Sequence, residues 1–171
     1  MSALLAAYAA RIGFSGPFAP TGSVLHELVA RHTAAIAFES IDPFLGRPVP
    51  IDPDTVRAKL LGGRRGGYCH EHNLLFCDVL AEIGFPVIPL GGRVVWARPD
   101  GNAPLTHRLT LVELPEGRFI ADVGFGGQTP TAPLRLEPGL AQTTPHGRYR
   151  IGRRGKGGSR QDEHECNAVH G

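Results

Sequence analysis

RRGGYCHEHNLLFCDVLAEIGFPVIPLGGR, residues 64–93, holds a basic glycine-rich turn, a cysteine, an apolar helix and the first strand-like alternation of the chain. Leu75, Val79 and Ile83 recur at helical spacing, Phe76 and Leu80 form a second stripe beside them, and Gly84 supplies a stop. A helix apolar over so much of its surface belongs at the centre of a fold. After Phe85 the period changes from helical to alternating, so a boundary falls near Pro86.

Upstream, the chain reads as helical. Ser2 can cap a helix over Ala3–Ile12 that Gly13 ends, and Ser23 can cap a second carrying Leu25, Leu28, Val29 and His32. Asp52-Pro53 opens a third, with Val56, Leu60 and Leu61 facing inward before Gly62-Gly63. Downstream, Val87–Leu90 and Arg93–Trp96 read as strands separated by Gly91-Gly92. His107–Leu114 and Arg118–Val123 read as a hairpin around Pro115–Gly117. The expected class is α+β: a helical bundle over 1–86, then an antiparallel, barrel-like β domain over 87–150. GRYRIGRR can add one more strand, whereas residues 151–171 as a polar tail lack apolar periodicity and are expected to be disordered.

Composition narrows the function classes. The 171 residues carry a net charge of only +2, too weak to argue for nucleic acid, and no apolar run approaches a membrane span. The arginines after residue 147 read as a solvated cluster. MSALLAAYAARIGF lacks a basic leader and is interrupted by Arg11, so it reads as a helix rather than a signal peptide. Three cysteines, Cys69, Cys77 and Cys166, do not make a disulfide framework and suit a reducing compartment. A soluble, cytoplasmic protein is expected.

Cys69 is the candidate nucleophile. The glycines before it permit close approach of a ligand, and a helix N-terminus favours thiolate over thiol. Its backbone N–H groups can stabilise an oxyanion. Cys77, inside the apolar helix, reads as a small core residue, and Cys166 as incidental. A thiol nucleophile needs a base and an orienting group. His107 begins one strand and Asp122 lies near the end of the next, in an apolar run where an unpaired carboxylate is costly. With the turn at Pro115–Gly117, simple pairing sets His107 opposite Phe125, so a bulge, curvature or a tighter turn is needed to bring it to Asp122. His70 and His72 with Cys69 and Glu71 suggest zinc only weakly, because helical neighbours diverge and no second ligand pair follows; no metal is expected. A papain-like thiol hydrolase shares the triad chemistry, but the local signature of that group is absent.

Residues 65–76, RGGYCHEHNLLF, resemble the active-site segment of the arylamine N-acetyltransferases, patterned RGG-x-C-x-E-x-N. Ala37-Phe38-Glu39-Ser40 is similar to that family's PFEN, Leu105-Thr106-His107 to its histidine strand, and Asp122–Gly126 to its DVGFG. Four ordered matches span roughly residues 1–150. The resemblance implies a cysteine-proteinase-like triad of Cys69, His107 and Asp122. It implies ping-pong acetyl transfer from acetyl-CoA to an arylamine or hydrazine through S-acetyl-Cys69. It also implies an acceptor pocket of Phe38, Val95 and Phe125, and close approach of CoA at Gly124 and Gly126. Glu39 with Arg64 or Arg65 is expected to be a structural ion pair. Ser40 departs from the family's Asn. Members continue into a third, α/β segment that covers the barrel, so a shortened chain is expected here, with an uncovered face that favours self-association into a homo-oligomer. An amide synthase of the same family, taking a longer acyl chain, is the sister reading. A partner-binding remnant without catalysis is the non-enzymatic one.

Overall fold

Local signals set the helices. In the computed structural model, which describes residues 1–95, 103–153 and the backbone of 166–170, α1 (Ala3–Ile12) is capped by the Ser2 hydroxyl, which accepts from Leu5 N–H at 3.2 Å. Gly13 ends it in the left-handed region, at φ 68°. α2 (Gly22–Ala35) starts two residues earlier than Ser23 would set it. Thr21, in extended conformation, accepts from Val24 N–H, and the Ser23 hydroxyl only meets Thr21 Oγ1 at 3.2 Å. A short α3 (Ile41–Phe44) leads to α4 (Pro53–Arg57), capped by Asp52. α4 widens into a π-helical turn at Ala58–Gly62. The central α5 (Cys69–Ile83) ends at Gly84, φ 101°.

β1 (Val87–Arg93), β2 (Leu105–Leu114), β3 (Gly117–Ala121) and β4 (Leu134–Arg135) form one antiparallel sheet in that order. Gly91 and Gly92 do not separate two strands. They pair with Arg108 and His107, and the register shifts only between Gly92 and Arg93. A Cβ on Gly92 would stand 3.2 Å from Leu109 and 3.4 Å from His107, so glycine allows the strand to pass close over its neighbour. Of the expected strand Arg93–Trp96, Arg93 ends β1, Val94 and Val95 are not in a strand, and Trp96 lies outside the described residues.

A second sheet contains β5 (Ala141–Thr144), β6 (Gly147–Arg153) and β7 (Cys166–His170). Among the described residues the strands form two antiparallel sheets and no closed barrel: the first ends on a two-residue strand, and the chain then moves into the second. The expected tail also departs from disorder. Ile151–Arg153 completes β6, and Cys166–His170 pairs along it. Strand pairing uses backbone groups, which apolar periodicity does not report. Residues 154–165 and 171 lie outside the described residues.

Alternation along β2 and β3 divides the core. Paired Val112 and Phe119 face the helices and join Tyr8, Leu25, Leu28, Leu75, Phe76 and Leu80 in one cluster. Paired Leu111 and Ile120 face the other way and pack with Leu134, Tyr149 and Ile151. Among the described residues no helix is long and apolar enough to cross a membrane.

Candidate active site

Cys69 is the first residue of α5, half-buried, with its Sγ 3.6 Å from the Thr106 carbonyl at the head of β2. The turn before it is anchored at several points. Glu71 accepts from Tyr68 N–H at 3.1 Å, while its other oxygen meets Lys59 Nζ at 2.8 Å. Lys59 also reaches Asp42 at 2.9 Å, and Arg65 bridges Asp42 at 2.8 Å and Glu39 at 3.1 Å. The partner of Glu39 is therefore Arg65. Arg64 takes the left-handed conformation at φ 50°, and its carbonyl accepts from Arg11. Lys59 and Arg65 together hold Asp42 below the usual carboxylate range. Sequence reasoning missed Lys59 and Asp42; the one signal was a lysine placed between Val56 and Leu60-Leu61 on the helix.

The hairpin resolves the register question. Leu114 pairs with Gly117, leaving only Pro115 and Glu116 in the turn, and the ladder runs to Thr110 opposite Ala121. The turn is tighter than Pro115–Gly117 by one residue, and continued pairing would set His107 level with Gly124. Asp122 leaves the ladder just there. Its Oδ2 lies 2.6 Å from His107 Nε2, and both side chains are buried. Asn73, one turn along α5 from Cys69, donates to Asp122 Oδ1 at 3.0 Å and accepts from Val123 N–H. Gly124 N–H donates to the same Oδ1 at 3.0 Å. Asn73 was legible only as part of a motif; its i+4 spacing from Cys69 was the signal for its role.

Burial alone would depress the His107 pKa. The hydrogen bond to Asp122, with Cys69 close by, outweighs that and raises it to about 9. Because Nε2 faces Asp122, Nδ1 is the ring nitrogen left for the thiol. The structure thus brings Cys69, His107 and Asp122 together. Phe125 meets the His107 ring edge-on at 4.9 Å. Phe38 lies across the site, 44% exposed, and a Cβ on Gly126 would approach its ring to 3.3 Å. Val95, half-buried, is the last described residue before 96–102. Gly124 has a structural reason to be glycine, since a Cβ there would lie 2.8 Å from His72 Cβ and 3.2 Å from Cys69 Cα. Gly126 is left-handed, and nothing lies within 4 Å of a Cβ built on Gly127. Both ring nitrogens of His72 are engaged, by His32 and by the Ala37 carbonyl, which leaves none for a metal. Cys77 is buried, and burial pushes its thiol up.

A cysteine at a helix start facing a buried His–Asp pair on an antiparallel sheet defines a thiol-centred, mixed helix-and-sheet protein. The N-acetyltransferase family profile matches residues 23–170. An arylamine N-acetyltransferase of Escherichia coli is 50% identical over 151 residues, covering 88% of this chain and 54% of that protein. The structure of the Salmonella typhimurium arylamine N-acetyltransferase superposes with a TM-score of 0.88 at 44% identity, covering 99% of this chain and 63% of that one. A Mycobacterium marinum arylamine N-acetyltransferase in complex with CoA gives 0.83 at 49% identity, covering 88% and 57%. The chain belongs to the arylamine N-acetyltransferase family. It spans about half the length of the curated relatives it matches.

Proposed function

We propose that the protein transfers an acetyl group from acetyl-CoA to an arylamine or arylhydrazine in two half-reactions at Cys69. The observation that carries this reading is the buried His107, hydrogen-bonded through Nε2 to Asp122, which leaves Nδ1 for Cys69. The named activity of the relatives and the CoA bound to the M. marinum protein support it.

In the first half-reaction His107 takes the thiol proton. The Cys69 sulfur attacks the thioester carbonyl, a new C–S bond forms, the bond to the CoA sulfur breaks, and that sulfur leaves with the proton from His107. In the second, the amine nitrogen attacks the S-acetyl carbonyl, His107 accepts its proton, and Cys69 is released. A pKa of about 9 makes His107 a base strong enough to hold the proton taken from Cys69 until the CoA sulfur removes it. Asp122 fixes the tautomer and stabilises the imidazolium. Phe38, Val95 and Phe125 would present apolar surface to a flat acceptor, and the backbone at Gly124 and Gly126 would flank the CoA side.

Intact-mass measurement after incubation with acetyl-CoA tests this directly. One acetyl adduct is expected, absent in Cys69→Ala, and discharged by an arylhydrazine as acetylhydrazide. Acetyl-CoA consumed with water to give only acetate and CoA, or an adduct independent of Cys69, would refute acetyl transfer at this cysteine.

A further inference from the structure

Three buried polar side chains have no part in that chemistry. Tyr8 on α1, His32 on α2 and His72 on α5 are each 0% exposed. They form one chain: Tyr8 Oη to His32 Nδ1 at 2.9 Å, His32 Nε2 to His72 Nδ1 at 2.9 Å, and His72 Nε2 to the Ala37 carbonyl at 3.2 Å. A carbonyl only accepts, so His72 Nε2 carries the hydrogen. His72 Nδ1 then accepts from His32 Nε2, and His32 Nδ1 accepts from the Tyr8 hydroxyl. Every ring nitrogen is satisfied with both histidines neutral, and burial lowers the pKa of each, which keeps them so. A polar chain this deep specifies one arrangement, because any break leaves an unpaired group in the core.

The chain ends beside Phe38. The Ala37 carbonyl also accepts from Gly67 N–H at 3.2 Å, Glu39 N–H donates to the Gly67 carbonyl at 2.8 Å, and Phe38 pairs with Gly67 in an isolated bridge. The Phe38 ring, although 44% exposed, stacks on the His72 ring at 6.2 Å and 22°. One imidazole therefore holds the backbone before Phe38 and backs its ring.

We propose that His72, held in its tautomer by His32 and Tyr8, is a positioning residue that sets the Phe38 ring for an aromatic amine acceptor; this rests on the acetyl-transfer reading above. The test uses the full chain with 4-fluorophenylalanine at Phe38, read by fluorine NMR alone and titrated with an arylhydrazine. His72→Leu, which removes both hydrogen bonds and the stack, is expected to shift and sharpen the signal and to weaken arylhydrazine binding on the order of tenfold. Tyr8→Phe, which removes one hydroxyl and keeps the packing, should move both readouts in the same direction by less. His72→Gln, able to donate to Ala37 and accept from His32, should recover most of the binding. Leu134→Ala, in the separate cluster across the sheet, controls for general destabilisation and should leave both readouts in place. An unchanged Phe38 signal and affinity in Tyr8→Phe and His72→Leu would overturn the proposal, as would an equal change in Leu134→Ala. These readouts need no turnover: a wild-type chain that fails to acetylate defeats the transfer reading and leaves this comparison standing.

Discussion

At the scale of single residues, His107 is the pivot. Its folded pKa of about 9 lies above the ordinary 6.5. Folding therefore favours its protonated form, and the stability this contributes is fully present below about 6.5 and lost as pH rises through about 9. Asp122→Asn removes the main opposing charge. Proton NMR of the imidazole should then show a pKa well below the wild-type value, and the stability gap between the two proteins should narrow above pH 9. Rate should fall by at least about a hundredfold, measured as acetyl transfer, because the imidazole loses its fixed tautomer. Cys69 was legible as a candidate because everything marking it is local: glycines before it, a helix after it. The hydrogen bonds from Asn73 and Gly124 to Asp122 were not legible, since they join residues about fifty positions apart or depend on where β3 stops.

At the scale of elements, the turn into α5 is held by charge. Glu71 is 2% exposed, and its salt bridge is to Lys59, whose side chain is 13% exposed. Lys59→Met would leave a buried carboxylate without that partner, at a cost of about 3 to 5 kcal/mol in denaturant unfolding. Loss of much less than that would mean water reaches Glu71. The π-helical turn at Ala58–Gly62 contains this lysine. Helix ends were the best-read features of the chain, because Ser2, Asp52, Gly13 and Gly84 each act on backbone groups within one turn. The Gly91-Gly92 pair was misread as a break. A glycine in a strand can mark either a turn or a close crossing, and only the presence of β2 beneath it decides which.

At the scale of the molecule, the two clusters are unequal. The helix-side core gathers residues from α1, α2, α4, α5, β2 and β3, whereas the cluster under the second sheet has Leu111, Ile120, Leu134, Tyr149 and Ile151 at its centre. Less buried apolar surface means cheaper local opening. Native-state hydrogen exchange should therefore show amides of β5 and β6 exchanging before those of α5 and β2; equal protection throughout would contradict this division. By itself, the sequence determined the helix-to-strand order, the helix caps, the cysteine at the head of the central helix and the hairpin that follows. Those are short-range facts, written in periodicity and in backbone groups satisfied a few residues away. The tertiary structure alone decided that the described strands form two sheets, that β7 pairs along β6, and that His107 meets Asp122 through a two-residue turn. It also decided that a tyrosine and two histidines from three helices line up behind Phe38. Register and buried hydrogen bonding are settled between segments distant in the chain, where a shift of one residue exchanges the faces of a strand and no local pattern records the choice.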